Sequence, residues 1–329
     1  MASAYQAARQ RAASIDRSHR GRLLVRGKDR ASYLQGLLTN DIVALTEGTG
    51  CYAAYLTAQG RMISDLWIYE LGDVIMIDLP GIATKDTVLA KLDQFIFSED
   101  VQLGDVTDAF AQIAVVGPES ARIVSTLLGE RIERLAALPE HGCLRGSIDG
   151  GPAIVTRVTD TGEPGFDVYV ERERVGAFKA ALAAADVVDA DAATADVLRV
   201  EAGVPAFHHD MDEETIPLEA GIEPRAISLT KGCYVGQEVI IRVLHRGHGR
   251  VARKLVGLTI DGANVPARGS IITGAEKEIG EITSSVRSIA LDRPIALAYL
   301  HRDFLEPGTT VSVNGTNALV TPLPFVARQ

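Results

Sequence analysis

Residues Cys51 to Leu79 read CYAAYLTAQGRMISDLWIYELGDVIMIDL, three apolar runs separated by Ala58-Gln59-Gly60-Arg61 and by Gly72-Asp73. Connections this short join strands as antiparallel neighbours. The stretch therefore predicts three adjacent strands, Cys51–Leu56, Met62–Glu70 and Val74–Leu79. Upstream, Arg22–Val25 reads as a strand closed by Gly27, and Asp29 stands where an N-cap would open a helix turning Leu34, Leu37 and Leu38 inward. After Gly81, the positions Val88, Leu89, Leu92 and Ile96 recur at helical spacing. Strands in one run followed by a helix give an α+β class.

A second set of elements follows in similar order: Ile113–Val116, a helix from Pro118, Ala153–Val158, Phe166–Val170, and an Ala-rich helix from Val175 to Ala185. No fixed period links the two sets, so the likeness is one of element order. Ala192–Glu201 reads as a helix with Gly203 at its C-cap. A carboxylate in that last turn opposes the helix dipole, so Glu201 calls for a specific partner. Pro205 to Leu229 lacks periodicity and reads as an ordered loop. Beyond Arg250, β-type runs at Leu255–Ile260, Glu281–Val286, Ala296–Leu300, Thr310–Val313 and Ala318–Thr321 predict a small barrel. The expected division is an α+β region over residues 1–248 and a barrel domain over 249–329.

Composition narrows the function. The 329 residues carry a formal net charge of -10, which argues against wholesale nucleic-acid or anionic-lipid binding. Three scattered cysteines, Cys51, Cys143 and Cys233, make no zinc-type spacing and fit a reducing compartment, so no metal site and a cytoplasmic location are expected. No apolar run reaches the length of a membrane span.

The segment Lys231-Gly232-Cys233-Tyr234-Val235-Gly236-Gln237-Glu238 places a thiol between glycines, two residues from a lysine and ahead of a helix expected to start near Gln237. Both neighbours favour thiolate, so Cys233 is the candidate reactive group, weighed against a small buried residue. Arg242, His245, Arg246, His248, Arg250, Arg253 and Lys254 follow as a basic run, either an anion dock or a solvated face.

Arg199-Val200-Glu201-Ala202-Gly203, His209-Asp210, Pro217-Leu218-Glu219-Ala220-Gly221 and Lys231–Glu238, in that order, resemble the YgfZ-type folate-binding proteins, relatives of the glycine-cleavage T-protein. Gly27-Lys28-Asp29-Arg30, Leu34-Gln35-Gly36-Leu37, Thr39-Asn40-Asp41 and Gln59-Gly60-Arg61 with Asp65 extend the resemblance along the chain. It implies two interlocked ferredoxin-like α+β units enclosing a folate site, then a β-barrel. It further implies tetrahydrofolate as the cofactor, with Cys233 as the functional thiol and Glu201 on the pterin. Lys231, Tyr234 and Gln237 of the same motif join the expected binding set, and Arg242 and Arg246, clustered in an acidic chain, are expected near the glutamate tail of the ligand or a polyanionic partner. The function this implies is support of iron–sulfur cluster assembly or repair, with iron–sulfur client proteins as partners, some of them tRNA-modifying enzymes.

An alternative reading is a folate-dependent aminomethyl transferase. Against it, the chain reads Asp78-Leu79-Pro80-Gly81 where T-proteins carry an Asn-Ala turn and a following aspartate. A third reading, RNA binding through the basic run, conflicts with the acidic balance.

Overall fold

The computed structural model describes residues 2–327 except 247 and 248, and the side chain of Arg246 also lies outside the described residues. Helix α1 (Ala2–Gln10) leads to β1 (Ala13–Asp16) and β2 (Gly21–Arg26), which enter different sheets. There follow α2 (Arg30–Leu37), β3 (Gly50–Leu56), β4 (Met62–Glu70), β5 (Ile75–Leu79), α3 (Ile82–Asp93) and β6 (Gln102–Asp105). The first sheet has the order β3-β4-β5-β2-β6, so the three predicted neighbours are neighbours.

The second unit runs β7 (Phe110–Val116), α4 (Ser120–Leu128), α5 (Ile132–Ala136), β8 (Cys143–Ile148), β9 (Gly151–Val158), β10 (Gly165–Glu171), α6 (Val175–Ala184) and β11 (Val188–Ala190). Its sheet, β11-β1-β7-β10-β9-β8, borrows β1 from the start of the chain. Ala13 lies opposite Val188 in a parallel pair and opposite Val116 in an antiparallel one. This exchange interlocks the units.

Alternation along each strand gives each sheet two roles. Leu66 and Ile68 of β4 pack toward Leu34, Val88 and Leu92 of the helices. Ile113, Val115, Val155 and Val168 likewise pack against Ile123 and Phe178 of α4 and α6. The opposite faces meet each other around Tyr69, Met76 and Tyr169, with Phe110 and Ile154 partly buried beside them. Polar side chains placed on those inner faces are thus removed from solvent.

Helix α7 (Ala192–Glu201) opens on Asp191, whose carboxylate accepts the Thr194 N–H at 2.8 Å. Short helices α8 (Pro217–Ala220), α9 (Glu223–Ala226) and α10 (Gln237–Ile241) follow, α10 continuing into a π-helix over Arg242–Arg246. Six strands, β12 (Arg253–Ile260), β13 (Ile271–Gly274), β14 (Lys277–Ser288), β15 (Arg293–His301), β16 (Thr310–Val313) and β17 (Thr316–Thr321), close into a barrel. Leu198 and Val200 of α7 and Tyr5 of α1 join Leu297 and Tyr299 in the core that fastens the barrel to the rest.

Cys143 begins β8 and lies opposite Thr156. Two expectations are corrected. Asp29 makes no side-chain cap for α2 and instead accepts the Asp100 N–H at 2.8 Å, tying the helix entry to the approach of β6. Strand β13, absent from the predicted barrel runs, supplies its sixth strand.

Candidate functional site between the sheets

Asp78 is the hub of the inner faces. It has no exposed surface, and its position on β5 points it away from the helices. Arg20 Nε donates to Asp78 Oδ1 at 2.5 Å, while Gln112 Nε2 and the Tyr169 hydroxyl each donate to Oδ2 at 2.7 Å. Gln112 Nε2 also donates to Asp167 at 3.0 Å, and the Gln112 carbonyl oxygen accepts from Arg22 at 3.2 Å. Arg17 reaches Asp167 at 3.2 Å and Asp160 at 2.8 Å. Buried charges survive only when paired in this way.

An aromatic wall adjoins this network. The Arg20 guanidinium lies 4.0 Å from the centre of the Trp67 ring, and Trp67 sits 6.3 Å from Tyr52. Tyr52 stacks on His141 at 6.5 Å and is covered by Arg225 at 5.2 Å. Its hydroxyl donates to Asp65 Oδ2 at 2.8 Å. Burial raises the Asp65 carboxyl above its ordinary range, against the pull of Tyr52 and Arg20. Among the described residues, Asp65 Oδ1, Asp167 Oδ1 and His141 Nδ1 are buried without a hydrogen-bond partner. Such atoms are costly and point to a ligand or ordered water. Burial pushes the Asp167 carboxyl up to about 6, with Arg17 pulling the other way.

The residues predicted from sequence do not converge on one point. Glu201 is fully buried, and its oxygens are taken by Tyr5 at 2.6 Å, Arg9 at 2.5 Å, Ser288 at 2.6 Å and the Ala290 N–H at 3.2 Å. The partner demanded by its helix position is therefore internal, a clamp joining α1, α7 and the barrel, with which the expected pterin contact would have to compete. Glu201→Gln is expected to lower stability by about 2 kcal/mol or more, because charge-assisted bonds to Arg9 and Tyr5 weaken. Thermal melting should show that loss with tetrahydrofolate affinity unchanged; the reverse pattern would return Glu201 to the ligand.

Lys231 is also committed internally. Its Nζ donates to the carbonyls of Gln35, Leu38 and Asn40 at 2.6, 2.6 and 2.8 Å, covering the C-terminal end of α2. Burial pulls its amine down to about 8. Tyr234 is buried in the cluster that contains Tyr52, and the Gln237 Oε1 accepts the Tyr234 N–H at 3.0 Å. Gly236, at φ 84°, lies so close to the β3–β4 turn that an added Cβ would meet the Thr57 carbonyl at 2.5 Å. The segment thus docks on that turn and leaves Cys233 and Arg242 exposed. Arg20, Trp67, Tyr52, His141, Arg225 and Asp160 were not singled out in the sequence. Only alternation along Met62–Glu70 could have paired Asp65 with Trp67 on one face.

Residues 1–231 match the family description "GCVT N-terminal domain", and residues 253–326 match "Glycine cleavage T-protein C-terminal barrel domain". The chain is 33% identical to an aminomethyltransferase of Rubrobacter xylanophilus, over 99% of this chain and 86% of that protein. It is 32% identical to an aminomethyltransferase of Streptomyces coelicolor, over 98% of this chain and 88% of the relative. The chain belongs to the glycine cleavage T-protein family. A structure of the family, the glycine cleavage system aminomethyltransferase T of Bartonella henselae, shares the fold at a TM-score of 0.89. The identity is 23%, with 99% of this chain and 90% of that one covered.

Within this T-protein fold the cysteines divide sharply. All three thiols are free, but burial pushes those of Cys51 and Cys143 up to about 12, whereas Cys233 is exposed. Iodoacetamide near neutral pH is expected to label Cys233 first, read by peptide mass spectrometry. Equal labelling of all three would contradict the packing of the other two.

Burial, and next the Arg225 guanidinium, pull the His141 imidazole down from 6.5 to about 4. The unfolded chain takes up a proton at this residue near pH 6.5, whereas the folded chain resists until about pH 4. More protons on the unfolded state means that stability falls as pH drops through this window, by on the order of 3 kcal/mol. His141→Asn, which tolerates the left-handed φ of 60°, is expected to flatten that fall in urea unfolding at a series of pH values. An unchanged slope would place the imidazole in solvent.

Proposed function

We propose that this chain binds tetrahydrofolate in the polar centre between the two sheets and uses it in aminomethyl transfer, the alternative of the two folate readings drawn from the sequence. Relatives of that printed activity, aligned over nearly the whole chain, support the reaction class. The observation that carries the site is the buried, unpartnered Asp65 Oδ1 beside the Tyr52 and Trp67 rings. A pterin is a planar heterocycle with an N–H edge, and it fits this donor set: Asp65 accepts from the edge, and the rings cover a face. Arg20 and Arg225 flank the aromatic wall and pull the Asp65 carboxyl toward its ionised form, against its burial. Bound tetrahydrofolate supplies the ring nitrogen that takes up the one-carbon unit. Asp167, whose carboxyl burial pushes up to about 6, is the group placed to hold or release a proton inside the network. On this reading residues 1–248 carry the ligand and 249–329 form the barrel that braces them, in a cytoplasmic protein.

The test is calorimetric titration with tetrahydrofolate, followed by incubation with an aminomethyl donor. Ammonia release matched by methylenetetrahydrofolate is the expected result. Binding without turnover favours the second reading, an accessory protein for iron–sulfur clients acting through Cys233. That reading has one specific observation behind it, the exposed free thiol held out beside Gly232. No binding would remove both.

A further inference from the structure

At the other edge of the layer between the sheets lies a cavity of about 350 Å³ that opens to solvent. Its walls come from both units: Leu24, Val74 and Met76 from the first sheet and its turn, Phe110 and Ile154 from the second. Polar groups are confined to the rim, where Arg26 and Arg145 stand with Asp73. Arg145 of β8 pairs with Asp73 of the β4–β5 turn at 2.6 Å, bridging the mouth from one unit to the other. Both partners are largely exposed, so this bridge holds the mouth only weakly. Two arginines against one aspartate give the rim a net positive charge in a chain whose net charge is -10. Among the described residues, the named wall and rim side chains make no hydrogen bond to the network around Asp78, which reaches this edge only through the Phe110 carbonyl that accepts from Arg22 at 3.0 Å.

We infer that this cavity is a second binding site, for a small amphipathic monoanion whose apolar body enters between the sheets and whose carboxylate stays at the Arg26–Arg145 rim. The volume is at the lower end of the roughly 300–1,000 Å³ typical of small-molecule sites, and an apolar floor with few convergent polar groups is their usual composition. An uncharged chain of the same length buries the same apolar surface but leaves the arginines unused. A larger polar ligand, such as a nucleotide, leaves its polar groups facing Leu24, Met76 and Phe110 without partners. A monoanion with an apolar tail satisfies both walls and rim. Because the walls belong to separate units, its binding also fastens the two sheets together.

Decanoate is the probe, with decan-1-ol as the uncharged counterpart, titrated into the full chain by calorimetry below the micellar concentration. One-to-one binding of decanoate about tenfold or more tighter than decan-1-ol is expected. Arg26→Glu, an exposed rim substitution, should weaken decanoate about tenfold while leaving decan-1-ol unchanged. Ile154→Trp, which fills the cavity from its partly exposed wall, should weaken both. Circular-dichroism melting identifies a variant that has failed to fold, and the rim substitution stands alone in that case. The inference is overturned by absence of decanoate binding, by equal affinity for the alcohol, or by decanoate affinity unaltered in folded Arg26→Glu.

Discussion

Asp78→Ala is expected to destabilise the protein by about 3–5 kcal/mol, the cost typical of removing one partner from a buried ion pair. Asp78 has no exposed surface, and the Arg20 side chain that it neutralises is only 14% exposed. Removing the carboxylate takes from the guanidinium its ion pair and leaves it the ring contact to Trp67 and the more distant charge of Asp65, and it strips the Tyr169 hydroxyl of its acceptor. Gln112 keeps Asp167 and Arg22 but loses its shortest bond. Asp78→Asn should lie between, since the amide preserves shape without charge. Urea unfolding measures the difference. A loss below about 1 kcal/mol would show the network to be screened by water like a surface pair.

The second large effect concerns ligand affinity. Asp65→Asn is expected to weaken tetrahydrofolate by about tenfold to a hundredfold, since a charge-assisted acceptor contributes roughly 1.5–3 kcal/mol. Tyr52→Phe separates the two oxygens of Asp65: it deletes the bond to Oδ2 and leaves Oδ1 facing the ligand. Affinity should change little in that variant. If a folded Asp65→Asn protein binds tetrahydrofolate as tightly as the parent, the pterin lies elsewhere and the proposed site falls with it.

Periodicity made most of the elements readable because each has enough residues to show a face. Met62–Glu70 alternates over a full strand, and its predicted bounds are those observed. The short strands β1, β6 and β11, of which β1 interlocks the units, have four, four and three residues, too few for alternation to register. The family resemblance implied the interlock without locating these strands. At Glu201 the local physics was legible: a carboxylate at a helix C-terminus needs a partner. The partner's identity was not, because Tyr5 and Arg9 stand nearly two hundred positions away and Ser288 enters from the barrel. The polar centre was less visible still. Asp78 could be placed on a strand without its facing, His141 comes from a connecting segment, and Arg225 from helix α9, whose four residues are too few to show a period. The family match over residues 1–231 names the fold and leaves those assignments to geometry.

The borrowed strand β1 also sets a timetable for synthesis. Ala13 is made early, yet its partners Val116 and Val188 follow by more than one hundred and by 175 residues. At roughly 5–20 residues per second, the second sheet has to wait on the order of ten seconds or more before β11 can seat beside β1. Meanwhile β2 to β5 can assemble the first sheet, with the segment before them still loose. The second unit is therefore not a vectorially folding module: cut free of residues 2–16, it would expose the edges of β7 and β11 that β1 covers. Unpaired edges of that kind recruit other chains. Early release of the nascent chain, or a fusion partner that restrains its first residues, would prolong that exposure and favour aggregation.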